Sequence, residues 1–258
     1  MVDTKGAVRN AADNEWFERA ARAGFIASGV LHILLAWIIL RLAFGAAGNA
    51  DQSGALAQLG SQTGGAIMLW LAAAGLAALG LWHLAEAVVE RDAKDKVKAA
   101  AVGVVNIALA VSAARFAMGG GQSSGQQNAG MSAQLMQSGW GKAVLIVVAL
   151  VLIGVGGYHV YKGATKRFEK ELTRSKGSVV TPAGVIGYVA KGLVLAGAGI
   201  LVIVATLTSD PAKASGIDAA VKTLGSAPFG RILLVLAAIG IAAYGVFSLI
   251  RGRYADMS

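Results

Sequence analysis

Long apolar stretches alternate with short polar segments along the whole chain. Six of the stretches approach or exceed the roughly 20 residues that an α-helix needs to cross the ~30 Å hydrocarbon core of a membrane. Lipid offers no partners for backbone N–H and C=O groups, so each stretch is predicted to be a helix. The predicted spans are 23–44, 65–89, 98–118, 142–163, 184–207 and 230–250.

The six stretches form three pairs, and the pairs align with one another almost without gaps in their apolar parts. The alignment includes an aromatic residue near the end of each second helix, at Trp82, Tyr158 and Phe247. Because the match extends to residues of different chemistry, shared apolarity does not explain it. The aligned glycines are Gly29, Gly103 and Gly192 in the first helices, and Gly80, Gly156 and Gly245 in the second helices.

This repetition predicts the fold class. An even number of spans in each copy gives all copies the same orientation, and such parallel repeats are related by an axis along the membrane normal. We therefore predict an all-α membrane protein with six transmembrane helices, in three parallel two-helix repeats around a pseudo-threefold axis. The predicted units are a leader over 1–22 and repeats over 23–90, 97–163 and 184–252. The aligned glycines suit close helix packing in lipid.

Shorter amphipathic segments lie outside the spans. The linker inside each repeat carries an apolar-periodic stretch, near 55–59, 135–140 and 220–224, which predicts a short interfacial helix on the outer face. In the leader, Trp16 and Phe17 stand among charged residues. That pattern is typical of a short helix at the lipid headgroups.

The distribution of charged residues predicts how the chain is oriented in the membrane. Only 14% of the residues are charged and 56% are hydrophobic, whereas soluble domains average about 25% charged residues. Of the 23 Lys and Arg residues, 16 fall on the side of the two chain ends, and the loops 46–64 and 119–141 contain none. Cationic residues concentrate on the cytoplasmic side, so both termini are predicted to be cytoplasmic.

The basic segments indicate which partners the protein binds, and the absence of cysteine excludes several kinds of site. The basic runs 91–98 and 162–176 suit anionic lipid headgroups, and their interspersed acidic residues argue against nucleic acid. The chain has no cysteine, which excludes disulfides, thiolate metal sites and Fe–S clusters. The outer-side Arg41 and Arg115 are predicted to contact lipid phosphates.

Several polar residues fall inside predicted spans. Ionisable groups at such depth are expensive and are functional candidates by default, although histidines hydrogen-bonded between helices are the alternative interpretation. The candidate intramembrane polar layer consists of His32, His83, Glu86, Asn106, His159 and Lys191.

Two residues of this layer are spaced so that their side chains could act together. His83 and Glu86 are three residues apart and so share one helix face, where they could pass protons or bind a cation. No metal site is predicted, and no cofactor is predicted; haem held by two of His32, His83 and His159 stays an alternative.

One repeat position carries a charge in all three units: Glu86, Lys162 and Arg251. A threefold arrangement would bring these side chains to the same depth, where they could form a cytoplasmic charge ring. Alternatively, each could extend separately toward the headgroups, as charges at helix ends do.

Particular motifs resemble a known family. The pattern G-[FY]-x-A-x-G occurs at 24–29 and 187–192, and the third repeat adds A-P-F-G-R-I-L-L at 227–234 and G-I-A-A-Y-G at 240–245. Together they resemble the three-repeat bacterial membrane family catalogued as domain of unknown function 1206, over about residues 20–252. The middle repeat departs, since it begins with Lys98 instead of glycine. The resemblance implies a bacterial, actinobacterial-type plasma-membrane protein and brings no catalytic residues.

The sequence lacks the glycine-rich phosphate loops, dinucleotide fingerprints, nucleophile elbows and paired-histidine zinc motifs of soluble enzymes. We therefore expect a non-enzymatic membrane protein, a scaffold or accessory subunit that contacts the bilayer and other membrane proteins. One alternative is a small solute or ion transporter that uses the polar layer. A second alternative is a haem or redox membrane protein.

Overall fold

Six long apolar helices dominate the computed structural model, which describes residues 15–90, 92–121, 123–172 and 178–254. Each of the six is long and apolar enough to cross a membrane, as the hydrophobic pattern predicts. They are α1 (Glu15–Ala43), α3 (Gly65–Val89), α4 (Ala93–Ala117), α6 (Gly139–Ala164), α7 (Val180–Thr208) and α9 (Gly230–Tyr254). The first repeat contains α1 and α3, the second α4 and α6, and the third α7 and α9.

Short helices occupy the linkers inside the repeats, as predicted. They are α2 (Gln52–Gly60), α5 (Ser124–Met136) and α8 (Ile217–Ser226). Trp140, which we expected in the second of them, instead lies in the first turn of α6. That helix begins at Gly139, where the Ser138 side chain accepts a hydrogen bond from Gly141 N–H and caps it. We call the face with α2, α5 and α8 the outer face, and the face with the start of α1 and the end of α9 the inner face.

The leader is not a separate interfacial helix where it is described. Helix α1 runs without a break from Glu15 into the first span, because no glycine or proline occurs between Glu15 and Gly24 and helix propensity favours continuation. The prediction for residues 1–14 lies outside the described residues.

Contacts between repeats use the glycines that align in all three copies. A Cβ atom on Gly80 of α3 would lie 3.0 Å from the Gly103 carbonyl oxygen of α4. An added Cβ on Gly156 of α6 would lie 2.6 Å from Gly192 O of α7, and one on Gly245 of α9 would lie 2.9 Å from Gly29 O of α1. Each second helix thus packs against the first helix of the next repeat, and α9 returns to α1. The glycines allow the backbones to approach this closely.

Contacts within a repeat use a second set of glycines, which the middle repeat lacks. In the first repeat Gly24 of α1 meets Gly75 of α3, and in the third repeat Gly187 of α7 meets the backbone of Tyr244 in α9. At the positions of Gly24 and Gly75 the second repeat has Lys98 and Val151.

The second repeat is correspondingly open. Helix α1 packs on α3 and α7 packs on α9, whereas α4 and α6 are not packed side by side over their described residues. Only 22% of the most apolar window of α4 and 17% of that of α6 are buried, against 33% to 50% in the other four spans. This separation coincides with the larger side chains of Lys98 and Val151 at the two contact positions. We call the space between α4 and α6 the open side.

The three linkers are joined on the outer face by two buried carboxylates. Asp51 caps α2 by accepting from Gly54 N–H at 2.8 Å, and its other oxygen accepts from Gly125 N–H of α5 at 3.2 Å. Asp218 of α8 accepts from Ala50 N–H at 2.7 Å. One linker from each repeat therefore takes part in this network.

Candidate functional site

An aromatic cluster fills the inner end of the bundle between α7 and α9. The 3₁₀ helix Arg167–Glu171, which follows α6 and which we call the inner turn, inserts Phe168 into this cluster. Its ring stacks on Tyr188 with centroids 5.5 Å apart and meets Phe247 edge-on at 5.0 Å. Gly184 provides the room, because a side chain there would collide with the Phe168 ring. Phe168 thereby fixes the inner turn against the spans.

The fixed inner turn holds Glu171 between two cations. Oε1 of Glu171 lies 2.5 Å from Lys162 Nζ at the end of α6, and Oε2 lies 3.3 Å from Arg251 Nη2 near the end of α9. The Lys162 side chain is only 9% accessible and that of Arg251 16%. The carboxylate therefore links the second repeat to the third.

The surroundings of Glu171 favour its ionised form. Burial raises the pKa of the Glu171 carboxyl, but the charges of Arg251 and Lys162 lower it and together outweigh burial. Lys98 lowers it further. The net pKa lies below the usual range for glutamate, so the carboxylate is charged at neutral pH.

Two further cationic contacts surround the same tyrosines. Lys191 Nζ lies 4.0 Å from the ring centroid of Tyr244, and Lys162 Nζ lies 4.7 Å from that of Tyr188. An ammonium over an aromatic face is stabilised by the ring quadrupole. Within the described residues this site has three lysine and arginine side chains, Lys162, Lys191 and Arg251, and one paired carboxylate, so it carries an excess of positive charge.

His32 and His159 border this site through the tyrosines. The His32 ring lies 4.7 Å from Tyr244, and the His159 ring 5.7 Å from Tyr188. Each Nδ1 lies within hydrogen-bond distance of a carbonyl four residues earlier, that of Ser28 for His32 at 2.7 Å. Because a carbonyl only accepts, Nδ1 carries the proton in both rings.

The remaining members of the predicted polar layer lie elsewhere. His83 pairs with Glu86 at 3.0 Å, as their spacing indicated, and Trp82 contacts the same imidazole. Asn106 of α4 donates to the Val102 carbonyl of its own helix at 2.9 Å. The layer is thus divided between the site described above, the His83–Glu86 pair and a locally bonded Asn106.

The charge ring forms only in part. Lys162 and Arg251 come together, but they do so through Glu171, and the described ion pair of Glu86 is with His83. Sequence reasoning missed Glu171, because it lies outside the repeat alignment in a run of mixed charges. It also missed Asp51 and Asp218. The signal available for Asp51 was a lone acidic residue in an otherwise uncharged linker, whereas the linker of Asp218 also carries Asp210 and two lysines and gave no such signal.

The outer arginines stay near the surface. Arg41 in the last turn of α1 lines an open depression with Asn49 and Gln58, and Arg115 is exposed in the last turn of α4. Their contact with lipid phosphates remains a prediction.

A small cavity lies between α1, α7 and α9. It measures about 30 Å³ and is lined by His32 and Lys191 toward the inner face and by Gln52 and Ile217 toward the outer face. That volume holds about one or two water molecules. Among the described residues there is no group of three or more acidic or histidine side chains that could hold a metal ion.

Comparison with known proteins gives one curated relative. The chain is 26% identical over 256 residues to the uncharacterized protein YxxB of Bacillus subtilis (strain 168), a match that covers 94% of this chain and 93% of the relative. No solved structure matches. The family model described as Domain of Unknown Function (DUF1206) matches three times, at residues 23–90, 97–166 and 186–255. These three matches cover most of the chain, and we conclude that this multi-pass membrane protein belongs to the DUF1206 family.

Proposed function

We propose that the protein is a non-enzymatic scaffold or accessory subunit, which binds a transmembrane helix of another membrane protein at the open side of its second repeat. The observation that carries the proposal is the exposure of residues in the second repeat whose equivalents in the first repeat are buried. Val105 of α4 is 58% exposed, whereas its equivalent Leu31 is 2% exposed. Val155 of α6 is 40% exposed, and its equivalent Leu79 is 2% exposed.

Repeat symmetry supports a helix as the occupant. In the first and third repeats the equivalent faces are covered by a helix of the same chain. The exposed face of α6 also includes Gly154, where an added Cβ would meet nothing within 4 Å. Small residues are useful where helix backbones approach each other, whereas a flexible acyl chain does not require them.

Site-specific photo-crosslinking in native membranes tests this proposal. A photoreactive residue at Val105 or at Val155 should give a discrete protein adduct. The matched control is Leu71 of α3, which is 68% exposed but does not belong to the open side. It should react only with lipid.

A closing variant makes the test specific. Lys98→Gly combined with Val151→Gly restores the small residues of the other repeats, so α4 can pack against α6. We expect the adduct at Val105 to disappear in this background. Adducts with lipid alone at every position contradict the proposal, and an adduct between two copies of this chain replaces the partner protein with self-association.

The proposal includes a location and an orientation, the bacterial plasma membrane with both termini in the cytoplasm. The support is the concentration of Lys and Arg on the inner face, which follows the positive-inside rule. A C-terminal fluorescent reporter that folds only in the cytoplasm should be active, and a periplasm-dependent phosphatase at the same place should not.

The transporter alternative rests on the cavity that reaches His32 and Lys191. A transport cycle would need this cavity to enlarge and to open past the inner turn on one side and the buried carboxylates Asp51 and Asp218 on the other. Solute uptake by reconstituted vesicles that Lys191→Met abolishes would favour this alternative over a scaffold.

The haem alternative receives less support from the geometry. Tyr244 and Tyr188 contact each other with ring centroids 5.3 Å apart and lie between His32 and His159. A macrocycle between these two histidines would have to displace both rings. A haem absorption band in protein purified from its natural host would revive the idea.

A further inference from the structure

An uncompensated positive charge lies at the inner end of α6, α7 and α9. Lys162 and Arg251 share one carboxylate, Glu171, and Lys191 contacts the Tyr244 ring without a described ion pair. Burying unpaired charge is costly, and cations within membrane segments usually pair or line a polar site. The excess charge therefore indicates an anionic partner.

The hydrogen bonding at this point is also incomplete. Glu171 Oε1 bonds to Lys162 at 2.5 Å. Oε2 lies 3.3 Å from Arg251 Nη2, but it and Arg251 Nε are buried and form no hydrogen bond with the described part of the chain. A carboxylate has two oxygens in one plane and a single charge. A phosphate group has a tetrahedral set of oxygens, so it can bind an ammonium and both edges of a guanidinium at once.

We infer that Lys162 and Arg251 form a binding site for a phosphate group, and that the Glu171 carboxylate competes with this ligand for the two cations. Lys191, on the neighbouring helix, adds to the attraction. Glu171 suits the role of competitor because it belongs to the inner turn, outside the spans, and its side chain is 27% accessible. It can therefore leave the cations without unfolding a transmembrane helix.

Two sources of phosphate can reach this site. One is an anionic phospholipid headgroup, since basic pockets between helices on the cytoplasmic side of membranes bind such headgroups. A small water-soluble phosphate ester can approach from the solvent on the inner face. The recognition chemistry is the same in both cases, so the experiment has one arm for each.

The test uses the full chain in neutral detergent and measures binding by titration. The probes are dioleoylphosphatidylglycerol, dioleoylphosphatidylcholine as the zwitterionic comparison, and glycerol 3-phosphate. For the probe that binds, Glu171→Gln should tighten the affinity and Arg251→Gln should weaken it. Each effect should be about tenfold, the size of one charge-assisted hydrogen bond.

Two control variants are matched to these changes. Glu169→Gln removes a carboxylate from the same turn, where it accepts from Thr181 and pairs with no described cation. Lys222→Gln removes a cation from the outer face, where it pairs with Asp218. Neither should alter binding.

Each outcome decides the inference. Binding of phosphatidylglycerol alone assigns the site to a lipid headgroup, and binding of glycerol 3-phosphate assigns it to a soluble ester. Equal affinity for the two lipids without binding of glycerol 3-phosphate overturns the inference. An affinity that Glu171→Gln leaves unchanged also overturns it, and this mild change at a partly accessible residue keeps the test valid even if Arg251→Gln fails to fold.

Discussion

Individual cations near the inner face are accommodated by aromatic rings as much as by carboxylates. Arg251 lies over the Phe25 ring at 4.4 Å, and Lys191 over the Tyr244 ring at 4.0 Å. A cation over a desolvated ring is stabilised by about 2 kcal/mol or more. This stabilisation lowers the free-energy cost of placing the cation inside the membrane, and it adds no negative charge. Among the described residues, Glu171 is the carboxylate that links Lys162 and Arg251.

The ionisation of Glu171 predicts an acid-sensitive contribution to stability. Because its pKa in the folded protein is below the unfolded value, the stabilisation is present above the unfolded pKa, about 4.3, and is lost as the pH falls through the folded pKa. The difference in melting temperature between the native sequence and Glu171→Gln should therefore be largest near neutral pH and shrink below about pH 4.

Thermal unfolding in detergent between pH 3 and pH 7 measures this difference. Glu169→Gln on the same turn serves as the control, since Glu169 accepts from the neutral Thr181 hydroxyl and has no cation partner among the described residues. A difference for Glu171→Gln that is constant across the pH range would show that the ion pair does not stabilise the fold.

Whether two helices of this protein pack closely depends on which helix face carries the small residues. On α6 the face with Gly156 packs against α7, while Gly154, two residues earlier, has no atom within 4 Å of an added Cβ. Glycine is therefore needed for packing on the face of α6 that contacts α7, but not on the exposed face of the same helix.

This difference predicts unequal effects of one substitution at two sites. Gly156→Val should destabilise the protein by about 1–3 kcal/mol, as overpacking does, because the new Cβ would lie 2.6 Å from Gly192 O. Gly154→Val should cost little, since its side chain would enter open space. Melting temperatures of the two variants in the same detergent measure the effects, and equal losses would contradict the packing of α6 on α7.

The sequence predicts the positions of the helices better than it predicts which helices pack against one another. The spans and the glycine repeat follow from apolar length and from alignment, which do not depend on neighbours. The substitution of Lys98 in the middle repeat was visible as a departure, but its consequence depends on which helix that face meets. Glu171 was not predictable as a site residue, because the buried Phe168 determines its position and a repeat alignment does not include it.

The whole molecule has two ways of holding three repeats together. In the membrane, aligned glycines join each repeat to the next, but the second repeat lacks its internal helix contact. On the outer face, α5 of that repeat is tied to the first repeat, because Ser53 accepts from Ser124 N–H at 2.9 Å and Asp51 accepts from Gly125 N–H at 3.2 Å. The linker network thus supports the part of the ring where helix packing is weakest.

This arrangement predicts that Asp51→Ala costs more than the loss of a helix cap. Capping alone contributes about 1 kcal/mol, and a further buried hydrogen bond to a charged group contributes about 1.5–3 kcal/mol. Asp210→Ala is the matched control, since Asp210 caps the short 3₁₀ helix Pro211–Ala214 between α7 and α8 by accepting from Ala212 N–H, but its side chain is 40% accessible.

Melting temperatures in detergent and limited proteolysis of the linker 119–141 distinguish the two variants. We expect Asp51→Ala to lower the melting temperature more than Asp210→Ala and to accelerate cleavage of that linker, because α5 loses its attachment to the first repeat. If both variants lose the same stability and the linker is cleaved at the same rate in each, the outer network does no more than cap helices, and the opening in the second repeat is restrained by its neighbours in the membrane alone.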